Sequence, residues 1–160
     1  MTDGLLAALT LFAALGSGLI AGVFFAFSAF VMKALARIPP AQGIAAMQSV
    51  NVAVINPVFM VAFLGTGVGC LLVAVSSLLT WHKPGAIYLL AGSLLYLAGT
   101  LLVTIRCNVP QNEALAAVDP ASADAAKLWA GYVTSWTSWN HVRTATALAG
   151  ATSLTVGLCC

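Results

Sequence analysis

A chain of 160 residues, 61% hydrophobic and only 6% charged, cannot wet its own surface, since a soluble domain carries roughly 25% charged residues. With a mean hydropathy of +1.02, an ordinary soluble domain is excluded and lipid becomes the natural solvent. The net charge of +2 is too small to call for nucleic acid. Cys70 and Cys107 stand alone and Cys159-Cys160 are adjacent, so the cysteines form neither a zinc pattern nor a disulfide framework.

The first apolar run extends from about Leu5 to Met32. It lacks a basic leader and outruns a signal-peptide core, so it is expected to remain as a membrane span. At 1.5 Å per residue its roughly 28 residues exceed the roughly 30 Å hydrocarbon layer, so the helix tilts or protrudes. Lys33 and Arg37 mark its exit, and Pro39-Pro40 stops simple continuation. Residues 43–57 carry Gln48, Asn51 and Asn56 and predict a short amphipathic helix. A second span runs from Pro57, a residue suited to a first helical turn, to about Leu79. Residues 81–85, Trp-His-Lys-Pro-Gly, read as an interfacial turn. The third span covers about Ala86 to Ile105 and ends at Arg106. The polar segment Asn108-Val-Pro110-Gln111-Asn112-Glu113-Ala-Leu115 and a loop come next. A tryptophan-rich helical segment then leads into a fourth span, from near Val142 to the C-terminus. The expected fold is all-α, an integral membrane four-helix bundle forming one domain over residues 1–160.

Lys33, Arg37, Arg106, Lys127 and Arg143 fall after spans one and three, against Lys83 alone on the opposite side. The positive-inside rule then puts both termini away from the cytoplasm, in the plasma (inner) membrane of a bacterium. Gly18/Gly22 and Gly65/Gly69 have the spacing that lets membrane helices approach closely.

The polar residues gather at one end. Within residues 129–143 lie three of the four tryptophans and one of the two histidines. Trp129, Tyr132, Trp136, Trp139 and Arg143 recur at i, i+3, i+7, i+10 and i+14, the spacing of one helix face. Anchoring at the headgroups is the ordinary use of such aromatics, but it leaves Asn140, His141 and Arg143 unexplained. His141 has the chemistry of a general base. Asn140, Asn51, Asn56 and Asn112 can donate to an oxyanion, or simply cap helices. Arg143 can hold an anionic substrate, a lipid phosphate or Glu113. No metal site is indicated, because His82 and His141 lie at opposite faces; haem on a single histidine stays open.

These residues resemble the anthrone oxygenase family of small four-helix membrane proteins. The resemblance rests on Gly22-Val-Phe24-Phe25-Ala-Phe27-Ser28 with Val31-Met32, on Met47-Gln48-x-x-Asn51, and on Asn56-Pro57. Asn108-Val-Pro110-x-Asn112-x-x-Leu115 and Trp136-x-x-Trp139-Asn140-His141-x-Arg143 complete it. It implies a four-span bundle and, for fungal members, oxidation of an anthrone to an anthraquinone by O2 without an organic cofactor. On that implication His141 is the base and Asn140 or Asn112 the oxyanion donor. Trp136 and Trp139 stack on the substrate and Arg143 orients its phenols. Tyr132, Asn51, Asn56, Asn108, Gln48 and Phe25 belong to the same expected substrate site. The expected partners are membrane lipids and a small hydrophobic aromatic, with no nucleic acid and a homo-oligomer left open. Two other functions use the same features: a non-enzymatic carrier of a hydrophobic ligand, and a structural subunit associating through its glycine ridges.

Overall fold

The computed structural model describes residues 3–160, and all regular structure among them is helical. Helix α1 (Asp3–Ala26) passes through a π-helical turn at Phe27–Val31 into α2 (Met32–Leu35). A corner at Pro39 starts α3 (Pro40–Ala53), and α4 (Pro57–Leu79) follows. Asn56 caps α4: its Oδ1 accepts from the Phe59 amide at 3.0 Å while its Nδ2 donates to the Ala53 carbonyl at 2.8 Å. Gly85, at φ 78°, closes the turn into α5 (Ala86–Leu94), a backbone state that costs glycine least. Two π-helical stretches, Leu95–Leu102 and Thr104–Asn108, carry α5 into α6 (Val109–Ala116). Helix α7 (Ala125–Cys159) ends the chain.

The third rod therefore does not stop at Arg106, where the charge suggested an end. It continues through Asn108 and Pro110 to Ala116, and the irregular loop is confined to residues 117–124. The physical reason lies in the wider turns. Pro110 brings no amide hydrogen and its ring crowds the preceding turn, and the π-helical stretch Thr104–Asn108 ends two residues before it. A π turn is one of the few devices by which a helix absorbs such an insertion.

Among the described residues, three rods are long and apolar enough to cross a membrane: Gly4–Leu35, Pro57–Leu79 and Ala86–Ala116. Helix α7 is the longest at 35 residues, about 52 Å at helical rise. Its C-terminal half packs among the other three. Contacts run α1–α4, α4–α5, α5–α7 and α7–α1, so chain neighbours are also spatial neighbours. Exposed Leu15, Leu19, Val61, Leu71, Leu79, Ile87 and Leu148 clothe the outside in hydrocarbon, the surface expected of a bundle in lipid.

Small residues set the approach of the rods. Gly65 and Gly69 receive Phe12 of α1, as the Gly-x-x-x-Gly spacing predicts. A methyl group on Gly18 or Gly22 would meet nothing among the described residues. A further close approach, without that spacing, joins α5 and α7. A methyl group on Gly92 would stand 2.9 Å from the Gly150 carbonyl.

Two cores result. The larger joins α1, α4, α5 and α7 around Ile20, Phe24, Phe63, Val73, Tyr96 and Leu154. The second is built by α2, α3, α6 and the first half of α7, around Met32, Ile44, Met47, Leu115, Trp129 and Trp136. It forms a helical cap on one end of the bundle, and the polar residues collect where cap and bundle meet.

Candidate functional site

Helix α7 supplies the spine of this junction. Trp129, Tyr132, Trp136, Asn140 and Arg143 are buried along it, at steps of three and four residues that keep one face inward. At about 100° per residue, Asn140 lies only about 20° round the helix from Trp129, whereas His141 lies about 120° away. Asn140 is fully buried, and His141 is exposed on another side of the helix.

Asn140 organises the deepest polar contacts. Its Nδ2 donates to the Phe24 carbonyl at 2.7 Å and to Ser28 Oγ at 2.6 Å. The π-helical turn at Phe27–Val31 interrupts the ordinary ladder here, which frees backbone groups for side chains. Asn140 Oδ1 accepts from Arg143 Nη2 at 2.6 Å. Both amide protons and the carbonyl are thus committed within the protein, so Asn140 positions Arg143 and has no proton left for an oxyanion.

Arg143 is 4% exposed. Besides Asn140, its Nη1 donates to Thr104 Oγ1 at 3.2 Å. Its guanidinium carbon lies 4.1 Å from the centre of the Phe24 ring and 5.0 Å from that of Trp136, within cation–π range. Nε finds no partner. Among the described residues no carboxylate reaches it, and Glu113 is exposed. A buried cation held only by neutral oxygens and ring faces costs several kcal/mol of desolvation.

A second network lies towards the cap. Tyr132 Oη and Trp136 Nε1 both donate to Asn112 Oδ1, at 2.9 and 2.8 Å. Burial pushes the Tyr132 phenol well above its ordinary range, so it remains a hydrogen-bond donor. Asn51 lies beside the Tyr132 hydroxyl, and its buried Nδ2 makes no well-formed hydrogen bond. Asn108, buried, donates to the Trp136 carbonyl at 3.2 Å. Gln48 Nε2 spans to the Leu115 and Val118 carbonyls at 2.9 and 3.0 Å, satisfying open groups at the end of α6.

The aromatic residues do not form an empty slot. Trp129 stacks on Tyr132 at 5.6 Å, and Tyr132 on Trp136 at 6.2 Å. Phe27 leans on Trp136 at 5.8 Å. Trp136 is thus enclosed by the protein's own groups, while Trp139 is 41% exposed and faces outward. Phe25 is 60% exposed and stands apart from the cluster; its neighbour Phe24 is the ring that meets Arg143. Asn56 stays at the corner before α4 as a cap. Room for a ligand lies in an open groove of about 680 Å³ between α6 and α7, within the range of small-molecule sites. Gln111, Leu115, Asp124, Lys127, Tyr132 and Ser135 line it. The groove and the buried cluster do not coincide. Tyr132 belongs to both, as the groove's inner wall and as Asn112's partner.

Sequence reasoning quoted Phe24 and Ser28 within the family motif without giving either a place in the site, and it did not single out Thr104 or Asp124. Ser28 follows Phe24 at i+4 and shares its helix face, a signal legible in principle. Thr104 and Asp124 carry none.

A profile of the anthrone oxygenase family matches residues 58–153. The chain belongs to the anthrone oxygenase family. The matched span runs from α4 through most of α7 and contains Thr104, Asn112, Tyr132, Trp136, Asn140 and Arg143. Their partners Phe24, Ser28 and Asn51 come from the helices before it. No match was found among curated proteins or among solved structures.

Proposed function

We propose that this member of the family is an oxygenase that converts a flat, acidic aromatic to its quinone with O2, in the groove between α6 and α7. One observation carries the reading. The groove connects through Tyr132, Asn112 and Trp136 to a guanidinium that has no acidic partner, and the proposed reaction passes through anions. A methylene flanked by two aryl rings and conjugated to a carbonyl loses a proton to give a phenolate-like anion. That anion passes one electron to O2, and the radical and superoxide join as a peroxide anion. Loss of hydroxide then leaves the new carbonyl, so CH2 and O2 become C=O and water.

Asp124 is the carboxylate in the groove wall and Lys127 the amine. We assign proton removal to Asp124, because His141 does not line the groove. Trp139 is not in the groove wall, but at about 80° from Trp129 it is on the same side of the helix as Tyr132 and Ser135. The purified protein is expected to consume O2 when given a hydroxylated anthrone, one quinone forming per O2. Binding of the anthrone without oxygen uptake would leave a carrier of hydrophobic ligands as the function. That alternative is favoured by the absence of an imidazole from the groove wall.

The charge bias supports an orientation with the cap and groove on the cytoplasmic side of a bacterial plasma membrane and the end of α7 outside. Cys159 and Cys160 are exposed and on this orientation would face outside, while Cys70 is buried. A membrane-impermeant maleimide should therefore label intact cells, and a Cys159→Ser/Cys160→Ser variant should lose the label. Labelling of wild type only after the cells are broken would reverse the orientation.

A further inference from the structure

Gly131 sits in the wall of the groove, inside the helical run of α7. Glycine weakens a helix interior relative to alanine, so its presence there calls for a reason. Packing within the protein supplies none, because a methyl group on Gly131 would meet nothing among the described residues. The glycines at the crossing of the third rod and α7 differ: a methyl group on Gly92, Gly99 or Gly157 would come within 3.0 Å of the facing helix. Nor does the backbone require glycine, since the φ of Gly131 lies outside the left-handed region. What stands over Gly131 is the groove.

Resting on the groove as the substrate site, we propose that Gly131 is the specificity-determining floor of that site, on which a terminal ring of a fused aromatic lies flat against the helix backbone. Ser135 stands one turn further along the same wall and takes a hydroxyl group carried by that ring. Its own hydroxyl is uncommitted. Thr134 and Ser138 beside it donate back to the Ala130 and Thr134 carbonyls at 3.0 and 2.9 Å, whereas Ser135 makes no side-chain hydrogen bond among the described residues. Other polar groups of the wall are already engaged, Gln111 Nε2 with the Cys107 carbonyl at 2.6 Å and Tyr132 Oη with Asn112. With the terminal ring on Gly131, the rest of the fused system extends towards Lys127 and Asp124, where the proton is removed. The substrate class is thus a fused aromatic with a hydroxyl on the ring remote from Asp124. A side chain at position 131 would lift the ring from the wall and break its contact with Ser135.

Affinity and stability are expected to move in opposite directions. Anaerobic binding of anthrone and of 2-hydroxyanthrone is titrated on wild type, Gly131→Ala, Gly131→Leu and Ser135→Ala, and each ligand-free protein is melted in the same detergent. Gly131→Ala should melt at or above wild type, because alanine is the better helix former and its methyl group has room. It should nonetheless bind both probes about 10-fold more weakly, the scale for forcing a methyl group into an occupied contact, and Gly131→Leu should bind neither. Ser135→Ala should hold anthrone as wild type does and lose a preference of about fivefold for 2-hydroxyanthrone, the scale of one neutral hydrogen bond. Wild-type affinity in both Gly131 variants overturns the assignment. Weaker binding with a lower melting temperature in Gly131→Ala also overturns it, and gives the glycine to the fold. A preference kept in Ser135→Ala overturns the placement of the terminal ring. Because binding is read without O2, none of these results depends on turnover, and O2 uptake by the same wild-type preparation reports separately on the oxygenase reading.

Discussion

Asn140→Leu is expected to destabilise the protein by about 3 kcal/mol or more, the scale for stranding a buried charge and its hydrogen-bond partners. The substitution removes the acceptor of Arg143 Nη2 and the donor to Phe24 and Ser28 in one step. Single interhelical hydrogen bonds in membrane proteins often contribute well under 1 kcal/mol, so the size of this effect rests on the orphaned guanidinium. Replacing the whole cluster, as Asn140→Leu with Arg143→Met and Ser28→Ala, should therefore restore much of the lost stability, because no charge then remains buried. Thermal unfolding of the three proteins in one detergent decides the matter. A single variant that melts with the wild type would show that Asn140 is not what holds Arg143.

Asp124→Asn is expected to slow anthrone turnover by about 100-fold, the lower end of what general bases contribute, whereas His141→Ala should stay within about twofold of wild type. Both residues are accessible, so neither change should disturb the core. Asp124 precedes α7 and its carbonyl accepts from the Leu128 amide at 3.1 Å, a contact that asparagine preserves. His141 opens onto another side of α7, beyond the groove. Initial rates under saturating O2, with quinone formation followed by absorbance, separate the two. Loss of activity in His141→Ala with Asp124→Asn unaffected would return the proton to the imidazole and move the substrate to the outer face of the helix.

The site was partly legible in the sequence, and for definable reasons. The spacing of Trp129, Tyr132, Trp136 and Arg143 keeps them on one face, and all four are buried. Trp139 has an acceptable spacing but falls at the edge of the stripe, which is enough to leave it 41% exposed. Asn140 lies nearer the middle of the buried face than its neighbours suggest, while His141, one residue later, is turned outward. Adjacency in sequence separates residues by about 100° on a helix, so a motif that reads as one cluster is divided between two surfaces. Phe25 and Phe24 are divided in the same way on α1. The stacking of Trp129, Tyr132 and Trp136 on one another was not legible as a filled space, because spacing says which side chains are neighbours and not whether a ligand fits between them.

The sequence by itself determined the solvent, the helical class and the end of the molecule where polar groups collect. Each follows from composition and period, which act locally and need no knowledge of partners. It also marked Pro57 as the start of a rod and Gly65/Gly69 as a point of close approach. Tertiary structure alone decided that the third rod continues through Pro110, that Gly18 and Gly22 face outward, and that Asp124 borders the groove. It alone placed Arg143 among neutral partners instead of beside Glu113. Such facts depend on which faces of distant helices meet, as when Asn140 bonds to Phe24 and Ser28 across more than a hundred residues of chain. No local pattern records that pairing, since it arises only when the rods pack.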